Sequence, residues 1–334
     1  MNLVKQIIIK KSSPFYKECD DICFRSKNLY NQALYRVKNA YESKKEYIPH
    51  SKLYKTLAEE NQIDYRALPQ NVSTQTLMLI DRNFKSYFET LKSYKKNPSK
   101  FKGQPRPPKF LHKTTGRMVA TYTKCVIQKK PFKKGFLGLT GVEFKLPISL
   151  DHYNYDDIQL VSIIPRPDHY IISINYKVKE KNPIINDNYC GIDTGLNNLV
   201  VAGSNNKDIK PMMIKDLSVK SINQYYNKKR AAIQKNLSKQ NKNSSKKLRK
   251  LTNKRNQKIK DRLHKVSRKT VDYIKENNIS TVVIGKNKNW KSEIKIGKKN
   301  NQNFVSVPHN KLIEYIRYKC ELEGINVIER EESY

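Results

Sequence analysis

In "NYCGIDTGLNNLVVAGS", the stretch from Asn188 to Ser204, a single carboxylate stands between two apolar runs of β-forming residues. Asp193 closes the first run, and Thr194 and Gly195 follow at once, so it sits where a buried strand gives way to a turn. An acid in that position either shapes the turn through its own backbone or projects from the end of a sheet as a metal ligand. The second use belongs to two-metal cleavage of phosphodiesters. Mg²⁺ takes oxygen ligands, and two ions about 3.5–4 Å apart flank the scissile phosphate, held by acids from several strands. Asp193 supplies one such acid, and its partners have to come from later strands.

The charge balance says what such a site would act on. The chain has 67 Lys plus Arg against 30 Asp plus Glu, a net +37 over 334 residues. A field that strong attracts polyanions, nucleic acid first among them. With 10% aromatic residues, 21 of them Tyr, and apolar periodicity along most of its length, the chain reads as folded with a basic surface, not as a disordered tail. Its length predicts more than one domain. The five cysteines, Cys19, Cys23, Cys125, Cys190 and Cys320, form no close double pair. They read as reduced thiols of a cytoplasmic protein. Cys19 and Cys23 have helical i,i+4 spacing, which suits two buried helix positions better than a zinc site. No zinc ribbon is present. The apolar run in "MNLVKQIIIKKSS" is short for a signal peptide, and no run approaches the ~18 residues of a membrane span, so a soluble protein without a membrane partner is expected.

Around Asp193 the elements read as follows. "LVKQIIIK" predicts a first strand, and Ile22, Leu29, Ala33 and Val37 recur at helical intervals between Lys17 and about Glu42. After "LPQNVS", the residues Leu77, Ile80, Phe84, Tyr87 and Leu91 fall on one face of a second helix. "KNPSKFKGQPRPPKF" breaks any helix with its prolines, and its basic residues, Lys102 and Arg106 among them, make it either a loop that binds a phosphate backbone or a solvated linker. From Met118 to Lys179 the texture is that of strands: in "YIISINYKV" the residues Ile172, Ile174, Tyr176 and Val178 alternate with Ser173, Asn175 and Lys177.

"KEKNPIINDN" reads as a connector into a second module, which opens with Asp193's strand, a turn at Gly195 and a returning strand "LVVAGS". A basic helical hairpin follows. Ile222, Tyr226, Ile233 and Leu237 form its first stripe, and Ile259, Leu263, Val266 and Tyr273 its second. Between Ser218 and Thr270 there are 19 basic residues and one acid, Asp261. That density on an amphipathic pair predicts a nucleic-acid contact, with Lys246, Lys247, Arg249, Lys250, Lys254, Arg255, Lys265 and Arg268 as the residues that would meet phosphates. A strand "TVVIG", a polar loop, a helix from Pro308 to about Glu323 and a last strand "INVIER" complete a mixed α/β module.

"GIDTGLNNLVV", "DRLHKVSRKTVDYI" and "NISTVVIGKNKNWK" together resemble the RuvC-type nuclease domain of the TnpB (OrfB) family, transposon-encoded proteins related to type V CRISPR effectors. The resemblance extends to "YRALPQNVSTQTLMLIDRNFKSYFETLK" and the Pro-rich loop after it, so it spans nearly the whole chain. It implies a mixed α+β architecture: a β-rich wedge domain over 1–16 and 100–180, a helical recognition lobe inserted over 17–99, and an RNase H-like (RuvC) domain over 188–334 carrying the basic hairpin 218–276. It also implies a guide RNA made from the transposon's own end, a target double-stranded DNA, and cleavage with Mg²⁺. Guide pairing would read sequence while the protein holds backbones.

Asp193 matches the family's first catalytic aspartate. The second acid does not match, because Gly285 stands in "VVIGKNK" where most members have glutamate. The resemblance to the "IGKNKNWK" subgroup implies a relocated acid, with Glu331 and Glu332 near the chain end as candidates; both are equally well read as exposed acids at a ragged end. The family's third acid falls beyond the position of Tyr334. Glu293, Glu314 and Glu321 lie in a polar loop and on a helix and are read as salt-bridge partners. The expectation is therefore an RNA-guided DNA-binding protein with an incomplete nuclease centre. An active endonuclease with a relocated Glu, and an RNA-binding protein that does not open DNA, are the alternatives.

Overall fold

The structure, a computed structural model, describes residues 1–149, 154–286, 297, 301 and 305–331. It divides into two compact units, Asn2–Val178 and Lys179–Tyr334, the latter together with Met1.

The N-terminal unit begins with β1 (Asn2–Lys10), followed by α1 (Tyr16–Lys44), α2 (His50–Glu59), α3 (Ile63–Arg66) and α4 (Gln70–Lys96). It then returns to strands: β2 (Ala120–Thr123), a short α5 (Lys129–Lys133), the two-stranded ribbon of β3 (Phe136–Gly138) with β4 (Lys145–Pro147), β5 (Ile158–Pro165) and β6 (His169–Lys177). The main sheet has the order β1-β6-β5-β2, with every neighbouring pair antiparallel. β1 pairs with β6 along its whole length, from Asn2↔Lys177 to Lys10↔His169, so the chain leaves the sheet for four helices and comes back to it.

The apolar stripes predict this packing well. Ile22, Leu29, Ala33 and Val37 of α1 are buried, and so are Leu77, Ile80 and Phe84 of α4; Tyr87 and Leu91 are half-buried further along that helix. Each fully buried side chain of this kind contributes about 1.5–3 kcal/mol. Cys19 and Cys23 are both fully buried in α1, and burial pushes the Cys19 thiol up to about 12. In β6 the apolar face is buried as the alternation requires, but Ser173 on the other face is buried as well, because β6 is a central strand with partners on both edges.

The C-terminal unit is a five-stranded sheet with long helices. In chain order its elements are β7 (Tyr189–Asp193), β8 (Val200–Ser204), β9 (Met212–Ile214), α6 (Leu217–Ser238), α7 (Lys246–Glu276), β10 (Thr281–Gly285), α8 (His309–Leu322) and β11 (Asn326–Arg330). The order across the sheet is β11-β10-β7-β8-β9. β7, β8 and β9 form an antiparallel meander, while β10 runs parallel to β7 and β11 parallel to β10. β9 has no counterpart among the sequence expectations: three residues, "MMI", are too few to show a period. Cys190, Ile192, Val282 and Ile284 of the sheet share a core with Ile259, Leu263 and Val266 of α7 and Leu312, Ile313 and Ile316 of α8. The structure thereby bears out the mixed α/β reading.

Candidate functional site

Asp193 is the last residue of β7, and the strand's alternation decides where it points. Cys190 and Ile192 are buried, so Tyr189, Gly191 and Asp193 fall on the other side and are exposed. Directly after it the backbone turns tightly: Gly195 N–H donates to the Asn198 carbonyl at 3.0 Å, and a Cβ on Gly195 would lie 2.9 Å from that same oxygen. The turn therefore needs glycine. The turn does not use the Asp193 side chain, which makes no hydrogen bond or ion pair among the described residues. Thr194, beside it, is buried with no partner for its hydroxyl among them.

The parallel register shows what stands in the same row. Ile192 pairs with Ile284, and Ile284 with Glu329; one step on, Gly285 pairs with Arg330. Paired residues of parallel strands share a face, and extending the register by one residue past the last β7–β10 pair aligns Asp193 with Gly285 and Arg330. The first offers no side chain and the second is a cation. Glu329 belongs to the preceding row and is held by two cations, Lys286 at 2.6 Å and Arg317 of α8. Glu331 is exposed and stands one residue past the end of β11. Glu332 and Glu293 lie outside the described residues. Glu314 is exposed and Glu321 half-buried, at or near the solvent side of α8.

Two Mg²⁺ ions need several carboxylates converging on one point. Among the described residues no three His, Cys, Asp or Glu side chains stand close enough to hold a metal. Among the described residues Asp193 alone has the position and the free oxygens. The described residues thus do not fit a two-Mg²⁺ centre.

The basic hairpin is α6 and α7. Asp216 caps α6 by accepting from Ser218 N–H at 2.9 Å, and Ser245 caps α7 by accepting from Leu248 N–H at 3.1 Å. Apolar residues of α7 go into the core, which leaves its cations outside: Lys246, Lys247, Arg249, Lys250, Lys254, Lys265 and Arg268 are all exposed. Two of them have acids one turn on or back, Lys265 with Asp261 at 2.9 Å and Arg268 with Asp272 at 3.8 Å. Lys246, Lys247, Arg249, Lys250 and Lys254 have no such partner among the described residues. Arg255 is half-buried. Its guanidinium donates to Asn223 Oδ1 (2.8 Å), Asn256 Oδ1 (3.0 Å) and the Ser306 carbonyl (2.7 Å), all of them neutral. In the N-terminal unit, Lys102 and Arg106 are both exposed in the irregular segment between α4 and β2.

Residues 173–291 match the OrfB_IS605 family of probable transposases. That match, over little more than a third of the chain, makes it similar to the TnpB (OrfB) family. The likeness also reaches solved structures. A Cas12f1, solved by cryo-EM with its sgRNA and target DNA, superposes with a TM-score of 0.53 at 15% identity, covering 94% of this chain and 72% of that one. A CRISPR Cas12f ternary complex gives 0.35 at 14%, covering 96% and 73%. The first of these shows a Cas12f-like fold for this chain. No curated protein matches it. No helix among the described residues is long and apolar enough to cross a membrane.

One buried cation of this chain was not among the residues expected from its sequence. Lys319 of α8 is buried, and its ammonium donates to the His264 carbonyl (2.9 Å) and to Ser267 Oγ (2.6 Å) of α7. Burial, reinforced by Arg268, lowers its pKa to about 8. Beside it the His264 ring stacks on Tyr315 at 4.0 Å. In the sequence Lys319 is one of 67 cations; its burial follows from the helix phase of α8, where Leu312, Ile316 and Cys320 face the core with it.

Proposed function

We propose that this TnpB-like protein is an RNA-guided DNA-binding protein, with a guide RNA and a target double-stranded DNA as its partners. The observation that carries the reading is the Cas12f-like fold over 94% of the chain, since the Cas12f1 in question was solved with its sgRNA and target DNA. The 18 basic residues on α6 and α7 against three acids support it, because holding two nucleic-acid backbones takes a large excess of cations over acids. In this reading residues 1–16 and 100–180 form the wedge, 17–99 the recognition lobe and 188–334 an RNase H-like (RuvC) domain. The strand order supports the last assignment: a three-stranded antiparallel meander extended by two parallel strands, with the first carboxylate at the end of the first strand. The guide would come from the transposon's own end.

The nuclease centre is deficient in this proposal. Asp193 stands where a first ligand belongs, and its row offers Gly285 and Arg330 where further acids would be needed. What remains is binding, with base pairing reading the sequence.

The test is to purify the protein with the RNA it carries, sequence that RNA, and measure retention of labelled duplexes that match or do not match it. Retention of the matched duplex alone is the expected result. Bound RNA with no preference between duplexes would make the protein a plain RNA binder, and absence of bound RNA would sink the reading altogether.

A further inference from the structure

Between α6 and α7 lies a cavity of about 460 Å³, within the range of pockets that take small ligands. Its walls differ from those of an ordinary helix–helix groove. Ile222 and Leu251 make an apolar floor, Tyr225 and Tyr226 present two aromatic rings, and Lys254, Arg255 and Lys258 supply cations. Tyr225 is 61% exposed. The ring of Tyr226 is fixed instead: its hydroxyl meets Thr252 Oγ1 at 3.1 Å, and the Arg255 guanidinium sits 5.8 Å from its centre.

The charge in this cavity has no internal counterpart. Arg255 is satisfied by neutral oxygens, and Lys254 and Lys258 form no ion pair among the described residues. The nearest acid along α7, Asp261, is engaged by Lys265. A half-buried guanidinium with hydrogen bonds but no neutralising carboxylate favours an anion from outside. The exposed Tyr225 ring beside it, with the Lys229 ammonium 5.8 Å from its centre, favours a flat ring on its other face, since stacking on Tyr is the sequence-tolerant way to hold a base, and apolar floor plus cationic rim matches base plus phosphate.

We infer that the cleft between α6 and α7 is a nucleotide pocket that holds one unstacked base of a single-stranded nucleic acid on Tyr225, with its phosphate against Lys254, Arg255 and Lys258. The inference rests on the nucleic-acid reading above and adds to it a base-stacking site distinct from backbone contacts. Such a pocket anchors a strand at one nucleotide without reading its identity, while the exposed cations elsewhere on α7 follow the backbone.

The experiment compares two single strands of equal length and charge, about 12 thymidines and about 12 abasic sites, on protein stripped of its RNA. A stacked base is worth roughly 5- to 150-fold in affinity, so the base-bearing strand binds more tightly by a factor in that range. Tyr225→Ala is expected to reduce that ratio severalfold and Tyr225→Phe to keep it, with the salt dependence of both strands unchanged. The exposure of Tyr225 makes the alanine variant fold normally, which a thermal melt verifies. A ratio unchanged in Tyr225→Ala overturns the pocket, as does a wild-type ratio of one with steep salt dependence; in both cases the backbone-binding reading survives. Binding of free AMP in the pocket without any preference for the base-bearing strand makes it a mononucleotide site and likewise overturns the inference. If neither strand binds, the nucleic-acid reading falls and takes the pocket with it.

Discussion

The helix α1 of the N-terminal unit and the hairpin α6–α7 of the C-terminal unit are built on the same apolar stripe and treat charge in opposite ways. α1 carries six basic and four acidic residues, and its charges close on neighbours. Asp20 receives Arg117 through Nε (2.9 Å) and Nη2 (2.8 Å), and the Tyr170 hydroxyl at 2.6 Å; Arg25 pairs with Asp21, and Arg36 with Glu60. Glu18 accepts the backbone N–H groups of Glu143 and Phe144. The hairpin, with 18 basic residues and three acids, leaves most of its cations facing solvent. Periodicity alone makes both helical. What separates them is where the counter-charge comes from: within the unit for α1, where charge serves stability, and, in the function proposed above, from a nucleic-acid partner for α6–α7.

That contrast makes salt the strongest lever. Neutralising some six to ten phosphates costs about 10³- to 10⁵-fold in affinity between 50 and 200 mM salt, and this protein's affinity for RNA is expected to fall by that much. Replacing Lys246, Lys247, Arg249 and Lys250 together by Ala is expected to cost about 10²- to 10³-fold at 100 mM salt and to flatten the salt slope by about three. The loss should be uniform across sequences, because phosphate contacts carry no sequence information. Folding should be barely affected, as each residue is exposed without a partner among the described residues. Filter binding over a salt series beside a thermal melt checks both halves; a sequence-selective loss, or a flat salt response, breaks the comparison.

The mirror experiment belongs to α1. Asp20→Asn removes the charge that Arg117 and Tyr170 address and is expected to destabilise the N-terminal unit by about 2–3 kcal/mol, with no change in nucleic-acid affinity. The Arg117 guanidinium beside Asp20 holds its carboxyl below the usual carboxylate range. A depressed carboxylate gives stability that is complete above the unfolded value, about pH 4, and is lost as pH falls through the folded one. The gap between wild type and Asp20→Asn in urea melts should accordingly be full at neutral pH and shrink in acid. A gap constant with pH would show that packing, not charge, makes the contact matter.

Much of this was legible in the sequence because it is local. The stripes of α1, α4 and α7, the alternation of β6 and the end of β7 at Asp193 all follow from the spacing of near neighbours. The rest depends on register and on distance along the chain. Arg117 lies 97 residues from the carboxylate it addresses. Glycine at 285 is visible at once, but the arrival of Arg330 beside it depends on how β10 and β11 pair, which no periodicity reveals. The cavity beside Tyr225 likewise needs the two helices to meet before it exists; in the sequence Tyr225 is merely the polar-face neighbour of a stripe residue.

Lys319 tests the comparison from inside the basic unit, where it is buried without an ion pair among the described residues. Its folded pKa of about 8 lies below the ordinary value of 10.5. Between those two values the unfolded chain binds more protons, so stability from this group rises with pH there, whereas below pH 8 the cost of a buried charge is borne in full. Against Lys319→Met, the wild type is expected to gain on the order of 1 kcal/mol between pH 7.5 and 9.5. Parallel stabilities across that window would place the ammonium in a better-solvated site than its two hydrogen bonds suggest.

The smallest expected effect is at the residue with the most suggestive position. Asp193 is exposed and carries neither a hydrogen bond nor an ion pair among the described residues, so Asp193→Ala is expected to change stability by less than about 0.5 kcal/mol. With Gly285 and Arg330 in its row and Glu329 held by Lys286 and Arg317, it has no second carboxylate among the described residues with which to share a metal. The substitution should therefore leave guide-dependent DNA binding unchanged, and neither wild type nor variant should cut. Mg²⁺-dependent cleavage of a guide-matched plasmid, run on wild type, Asp193→Ala, Glu331→Ala and Glu332→Ala, decides the matter. Cleavage by wild type that is lost in Asp193→Ala and in one glutamate variant would overturn the deficient-nuclease proposal and identify the relocated acid, because carboxylates that share a metal are each needed for cleavage. Unfolding of Asp193→Ala would instead assign the carboxylate to the turn, against the geometry that leaves its oxygens unused.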